Sequence, residues 1–281
     1  MSYKILGDSC CDYDDFDGQL DWLGRIPLTI ELGDKRYRDD ERLNCYKLLK
    51  DMAASSTAPR SACPSIGDFA QAFDCGAEEI YVVTLSEKVS GTYTAARIAA
   101  DIFTEQHPEI RIHVFDSMSA AAGEIAVCLK IRELKEAGIE FDETVAMTEV
   151  FIESITTMFV LETLDVFRKN GRLNHLQALV TGALKIKMVM GADKGAICAL
   201  DKALTTPRAL GKLVDRIKEK YSKDLSILKR TLVITECNCR QRAEKLRDSI
   251  LMHCPFKKTL ICRAGGLSTM YANSGGVIVA F

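Results

Sequence analysis

The feature that most constrains the fold is a unit that occurs twice in succession: a mainly apolar run, a polar turn, and a segment with helical spacing. Ile80-Tyr81-Val82-Val83-Thr84-Leu85 leads into a serine-rich turn and an alanine-rich stretch from Gly91 to Ile102. Ile110 to Phe115, Asp116-Ser117 and a helix through Ile125 to Lys135 repeat the order. A strand that is apolar on both faces must be covered on both faces, and helices between successive strands supply that cover. The pattern therefore predicts an α/β fold with a mostly parallel sheet flanked by helices.

Shorter signals extend the pattern. Lys4 to Gly7 and Arg25 to Glu31 each read as one strand, Leu43 to Ala53 as a helix, and Pro64-Ser65 as the start of another. Beyond Glu153 the rhythm changes. Met158 to Leu161 precedes a helix-like segment ending at Asn170-Gly171, and Ile186–Met190 and Ala196–Leu200 flank Gly191 to Gly195 as a hairpin. Pro207 opens a helix, Thr231 to Thr235 begins a strand-helix pair running through Leu251, and Thr259–Cys262 and Gly276–Phe281 read as strands separated by a glycine-containing loop. The hairpin makes the second sheet mixed. At 281 residues the chain is about twice the length of a typical domain. The expected division is an N-terminal α/β domain over 1–154 and a C-terminal α/β domain over 155–281.

Charge and cysteine content narrow the function. With 37 Lys and Arg against 39 Asp and Glu, there is no surplus to neutralise a phosphate backbone, so nucleic-acid binding is not expected. No apolar run approaches the ~18 residues that span a bilayer, and Asp8 interrupts the N-terminus before a signal-like core forms. The eleven cysteines are an odd number in a chain that needs no staples, so reduced thiols and a cytoplasmic location are expected. Neither Cys10-Cys11 nor Cys237-x-Cys239 is a CxxC and no histidine clusters with them, so neither metal nor cofactor is expected. With no heptads or interface stripe, a monomer is expected.

In open parallel sheets, ligands bind where loops leave the carboxyl ends of strands. Asp8-Ser9, Arg60 to Ser65, Ser86 to Tyr93 and Asp116 to Ser119 are the candidate loops. Ser90-Gly91-Thr92-Tyr93 is the densest, placing hydroxyls and free N–H groups at a helix start, which suits an anion; the simpler reading is that Ser90 caps the helix. There is no GxxxxGK[ST] loop and no GxGxxG after a strand. His107, His113, His175 and His253 all fall outside these loops, which argues against Ser90 or Cys63 as the nucleophile of an acyl hydrolase or transferase.

Taken together the loops resemble the DegV family of bacterial fatty-acid-binding proteins over nearly the whole chain. Asp8-Ser9-Cys10-Cys11-Asp12 resembles the opening DS-x-x-D. Ile26-Pro27-Leu28 with Tyr37-Arg38-Asp39 resembles the VPL strand and Y-x-D turn, and Ser61-Ala62-Cys63-Pro64-Ser65 the TSQPS segment. Ser90-Gly91-Thr92-Tyr93 resembles SGTY and Asp116-Ser117 a second DS. Thr163-Leu164-Asp165 through Asn170-Gly171-Arg172-Leu173 and Leu184-Lys185-Ile186-Lys187 resemble two segments of the second half.

The resemblance implies two α/β domains and a long-chain fatty acid buried between layers. It further implies that hydroxyls hold the carboxylate and that the acid is presented to a separate kinase subunit. It assigns ligand binding to Ser61, Ser90, Gly91, Thr92 and Tyr271, and partner docking to Arg172 and Lys202. Tyr271 stands where the family has a histidine, Met188 where it has a proline, and Leu204 where it has an arginine associated with docking. A phenol donates one hydrogen bond but brings no positive charge near neutral pH. A sensor of another small carboxylate is the remaining alternative.

Overall fold

The computed structural model describes residues 2–12, 22–173, 176 and 186–281. The first half contains β1 (Tyr3–Asp8), β2 (Leu23–Ile26), β3 (Thr29–Leu32), β4 (Lys35–Arg38), α1 (Cys45–Ala54), β5 (Arg60–Ala62) and α2 (Ile66–Phe73). It continues with β6 (Glu79–Thr84), α3 (Thr92–Gln106), β7 (Arg111–Asp116), α4 (Ala122–Glu136) and α5 (Phe141–Ser154). The second half contains β8 (Thr157–Val160), α6 (Asp165–Lys169), β9 (Lys187–Asp193), β10 (Ala196–Ala203) and α7 (Thr206–Lys223). It closes with β11 (Thr231–Glu236), α8 (Arg240–Leu251), β12 (Lys258–Arg263), α9 (Gly266–Ala272) and β13 (Val277–Ala280). The segment Leu184-Lys185, Asn174 and His175 lie outside the described residues.

The two repeated units build a four-stranded sheet in the order β2-β1-β6-β7, parallel at every pairing. Every residue of β6 is buried, as expected for a strand covered on both faces. The second half forms a six-stranded sheet, β10-β9-β8-β13-β11-β12, mixed as expected: β11 and β12 run parallel and the other pairings are antiparallel. The hairpin turn is tighter than Gly191 to Gly195. The strands reach Asp193 and Ala196, leaving Lys194 and Gly195 at positive φ, the two-residue turn that matches strand twist.

α4 ties the sheets together. Ala122, Ile125, Ala126, Cys128 and Ile131 belong to one buried cluster that takes Ile5, Tyr81 and Val83 from the parallel sheet and Val233, Ile278 and Ala280 from the mixed one. The first two turns of α4, Ala122 to Cys128, are buried on every side, as in an interior helix, while its charged second half reaches the surface.

Three sequence expectations need correction. Arg25 to Glu31 is not one strand: the chain breaks at Pro27-Leu28, with β2 in the parallel sheet and β3 in an antiparallel sheet, β4-β3-β5. Pro27 has no N–H to continue a ladder, and the Leu28 N–H donates to Ser9 Oγ at 3.0 Å. Arg60 to Ser65 is not a loop at a parallel strand's end. Its first part is the edge strand β5, and Ser65 caps α2 in a reciprocal capping box with Asp68. The expected loop between Cys262 and Gly276 contains the helix α9.

Candidate functional site

A cavity of about 110 Å3 opens where the three sheets meet. Its wall is mostly apolar. Leu28, Leu85 and Val89 come from the first half; Phe159, Leu161, Ile197 and Ile278 come from the mixed sheet; Phe167 comes from α6, and Leu267, Tyr271 and Ala272 from α9. A narrow slot of this kind suits a slender chain better than a broad ring system.

The polar residues on the wall include Ser61, Ser90, Arg172 and Tyr271, with Ser86, Ser119, Thr157 and Ser268. Ser61 is placed by β5, where it pairs with Ile30 of β3. Ser90 ends the turn after β6. Its Oγ lies 2.8 Å from Thr92 Oγ1 and accepts the Thr92 N–H at 3.3 Å. The residue in the capping position of α3 is Gly91, and no side chain caps that helix, so Ser90 stands just outside it. Thr92 is fully buried and off the cavity wall; it orients Ser90.

Arg172, which the resemblance assigns to partner docking, lines the cavity. Its Nη1 donates to Asn170 O at 2.8 Å and its Nε to Val89 O at 3.4 Å, which fixes the guanidinium beside the Ser90 turn. The Tyr271 ring packs against Phe167 with centroids 4.5 Å apart. Lys202 is exposed on β10 and does not reach the cavity, and Leu204 beside it is 65% exposed.

Further residues escape a sequence reading. On the wall, Ser119 Oγ and Thr157 Oγ1 share a 2.6 Å hydrogen bond. Gly123 permits it, because a side chain there would collide with Ser119. Ala121, also on the wall, sits at φ 54° and ψ −117°, a strained region for a residue with a Cβ.

Behind Cys10 and Ser268 lies a set of buried carboxyls: Asp8, Asp12, Asp39 and Glu124. Asp8 accepts the Cys10 N–H at 2.9 Å and the Leu85 N–H at 2.7 Å. Burial nonetheless pushes its carboxyl up to about 7. Asp39 accepts from Ser9 Oγ at 2.8 Å and from the N–H groups of Gly266 and Leu267 at 2.7 and 2.8 Å, which anchors the start of α9; burial raises its carboxyl too. Asp12 adds a bond from the Gly265 N–H at 2.7 Å. Burial holds the carboxyls of Asp12 and Glu124 well above the usual range. The sequence sign of Glu124 is its isolation in an otherwise apolar helical stretch, Ala122 to Cys128.

A family model described as "Uncharacterised protein, DegV family" matches residues 2–281. The chain belongs to the DegV family. A DegV domain-containing protein of Streptococcus pneumoniae strain R6 is 32% identical over 286 residues, covering 100% of this chain and 99% of that one. Among solved structures, a DegV family protein from Ruminococcus gnavus refined with vaccenic acid is 36% identical, with a TM-score of 0.95 and full coverage of both chains. The B3 protein of the Streptococcus pneumoniae fatty acid kinase, loaded with linoleic acid, is 31% identical with a TM-score of 0.90, covering 100% of this chain and 99% of that one. The resemblance read from the motifs and the DegV fold it implied are therefore confirmed. The parallel sheet, the mixed sheet and their flanking helices are the DegV architecture. No helix among the described residues is long and apolar enough to cross a membrane.

Proposed function

We propose that this protein binds one long-chain fatty acid in the cavity, with its carboxylate held by Ser61, Ser90, Arg172 and Tyr271. The observation that carries this reading is the composition of the wall, a small, mostly apolar cavity lined also by the hydrogen-bond donors Ser61, Ser90, Arg172 and Tyr271. Each buried methylene contributes about 0.8 kcal/mol, so tail burial supplies most of the affinity and the polar groups set orientation. Gly91 supports the turn and Thr92 holds the Ser90 hydroxyl. Arg172 brings the positive charge that Tyr271 lacks. The relatives solved with vaccenic and linoleic acids support this ligand class.

The site favours binding over turnover. Among the described residues that line the cavity there is no histidine, aspartate or glutamate to serve as a base for Ser90. Presentation of the acid to a kinase subunit is consistent with the similarity to the fatty acid kinase B3 protein. In this reading the two halves, meeting near residue 154, form lobes around the lipid, and the exposed Lys202 and Leu204 face the partner. The eleven free thiols fit a working place in the reducing cytoplasm.

Mass spectrometry tests this directly: native spectra of the purified chain, then extraction of released lipid. One fatty acid per chain is expected. A protein that arrives empty and takes up no added long-chain acid, while binding a short carboxylate, would overturn the reading in favour of a small-anion sensor.

A further inference from the structure

We propose that Asp8, Cys10 and Glu124 form a binding site for a divalent cation of the zinc class. One carboxylate oxygen each from Asp8 and Glu124 and the Cys10 sulfur lie within 4.8 Å of one another, close enough to share a single ion. All three residues are buried. Glu124 is 0% exposed, and neither of its oxygens has a hydrogen-bond partner outside the cluster, where its polar neighbours are Asp8 and Cys10. A buried carboxylate without a partner is costly, and few such groups survive in folded proteins without an ion, water or proton to satisfy them.

The surroundings add to the demand for positive charge. Asp12 and Asp39 are buried nearby, one oxygen of Asp12 has no hydrogen bond, and the exposed Arg25 offsets their burial only in part. The first ligand is already oriented, because the N–H groups of Cys10 and Leu85 fix both oxygens of Asp8. Ser268 Oγ lies 3.8 Å from the Cys10 sulfur, leaving a hydroxyl beside the third ligand.

The donor set selects the ion. Calcium and magnesium take oxygen-only shells, whereas one thiolate with two carboxylates suits Zn2+ or its spectroscopic substitute Co2+. Cys10 also lines the cavity, which gives the ion a route of access and room for a water as a further ligand. On binding, the Cys10 S–H bond gives way to a sulfur–metal bond and the carboxyl O–H bonds at Glu124 and Asp8, where present, to oxygen–metal bonds, with the protons leaving to solvent, so affinity rises with pH.

The test uses the full chain after dialysis against a chelator, titrated with Zn2+ and with Co2+. One equivalent of Zn2+ is expected to raise the thermal midpoint by several degrees. One equivalent of Co2+ is expected to give a thiolate-to-cobalt charge-transfer band in the near ultraviolet. Cys10→Ser abolishes that band, and the near-isosteric Glu124→Gln weakens binding at least tenfold. A wild-type chain showing neither shift nor band overturns the proposal, leaving protons to neutralise the cluster. A band that survives Cys10→Ser but disappears in Cys237→Ser overturns it as well, because the metal then binds elsewhere.

Discussion

Polar groups of opposite kind serve the cavity from two parts of the molecule. Ser61, Ser90, Arg172 and Tyr271 offer donors and bring no acid, whereas the region behind Cys10 and Ser268 holds four buried carboxyls, with only the exposed Arg25 acting on Asp12 and Asp39. The first set is built around an anion that arrives with a ligand. The second consists of acceptors, and its members already hold backbone: Asp8 the Leu85 turn, and Asp39 and Asp12 the start of α9. Donor hydroxyls near a surface turn can await a ligand at little cost. Buried carboxyls cannot, so they must be satisfied by amides, protons or an ion.

The largest expected effect strikes the acidic region. Asp39→Ala strands the N–H groups of Gly266 and Leu267 and should cost about 2–5 kcal/mol of stability in denaturant unfolding. A loss below about 1 kcal/mol would mean that α9 is held by packing alone. On the donor side, Arg172→Ala should weaken fatty-acid affinity about ten- to hundredfold by calorimetry while leaving unfolding nearly unchanged, the loss appropriate to a charged hydrogen bond. Ser90→Ala should cost about tenfold. If both variants bind as the wild type does, the carboxylate sits elsewhere.

A smaller effect follows from pH. Because burial raises the Asp39 carboxyl, the folded chain retains a proton that the unfolded chain releases. The stability gained is complete below about pH 3.9, the unfolded aspartate value, and is lost as pH rises through the higher folded value. Asp39→Asn should flatten that part of the thermal-midpoint profile, and parallel profiles for the two proteins would remove Asp39 as its cause. Smallest of all, Ala121→Gly should stabilise the chain by less than about 1 kcal/mol by relieving the positive φ, and a loss of stability would show that the methyl packs usefully.

The parallel core was legible because β6 and β7 carry their signal locally: mainly apolar runs next to polar turns. α9 was not, because it begins on Gly266 and its anchors, Asp39 and Asp12, lie 227 and 253 residues away in sequence. Pro27 marked a break, but only the pairing of Leu28 with Ser9 shows that the chain changes sheets there. At the site, the Ser90 turn could be found from its hydroxyls. Arg172 could not be placed, since its position depends on the carbonyls of Val89 and Asn170 rather than on any motif spacing.

The burial of the first turns of α4 on every side also bears on how the chain is made. Residues 1–154 leave the ribosome first and can assemble the parallel sheet against one side of α4. Its other side has nothing to pack on until Val233, Ile278 and Ala280 emerge, almost at the end of synthesis. Throughout that interval a greasy strip on an otherwise finished half-protein is open to chaperones, and to aggregation where they are scarce.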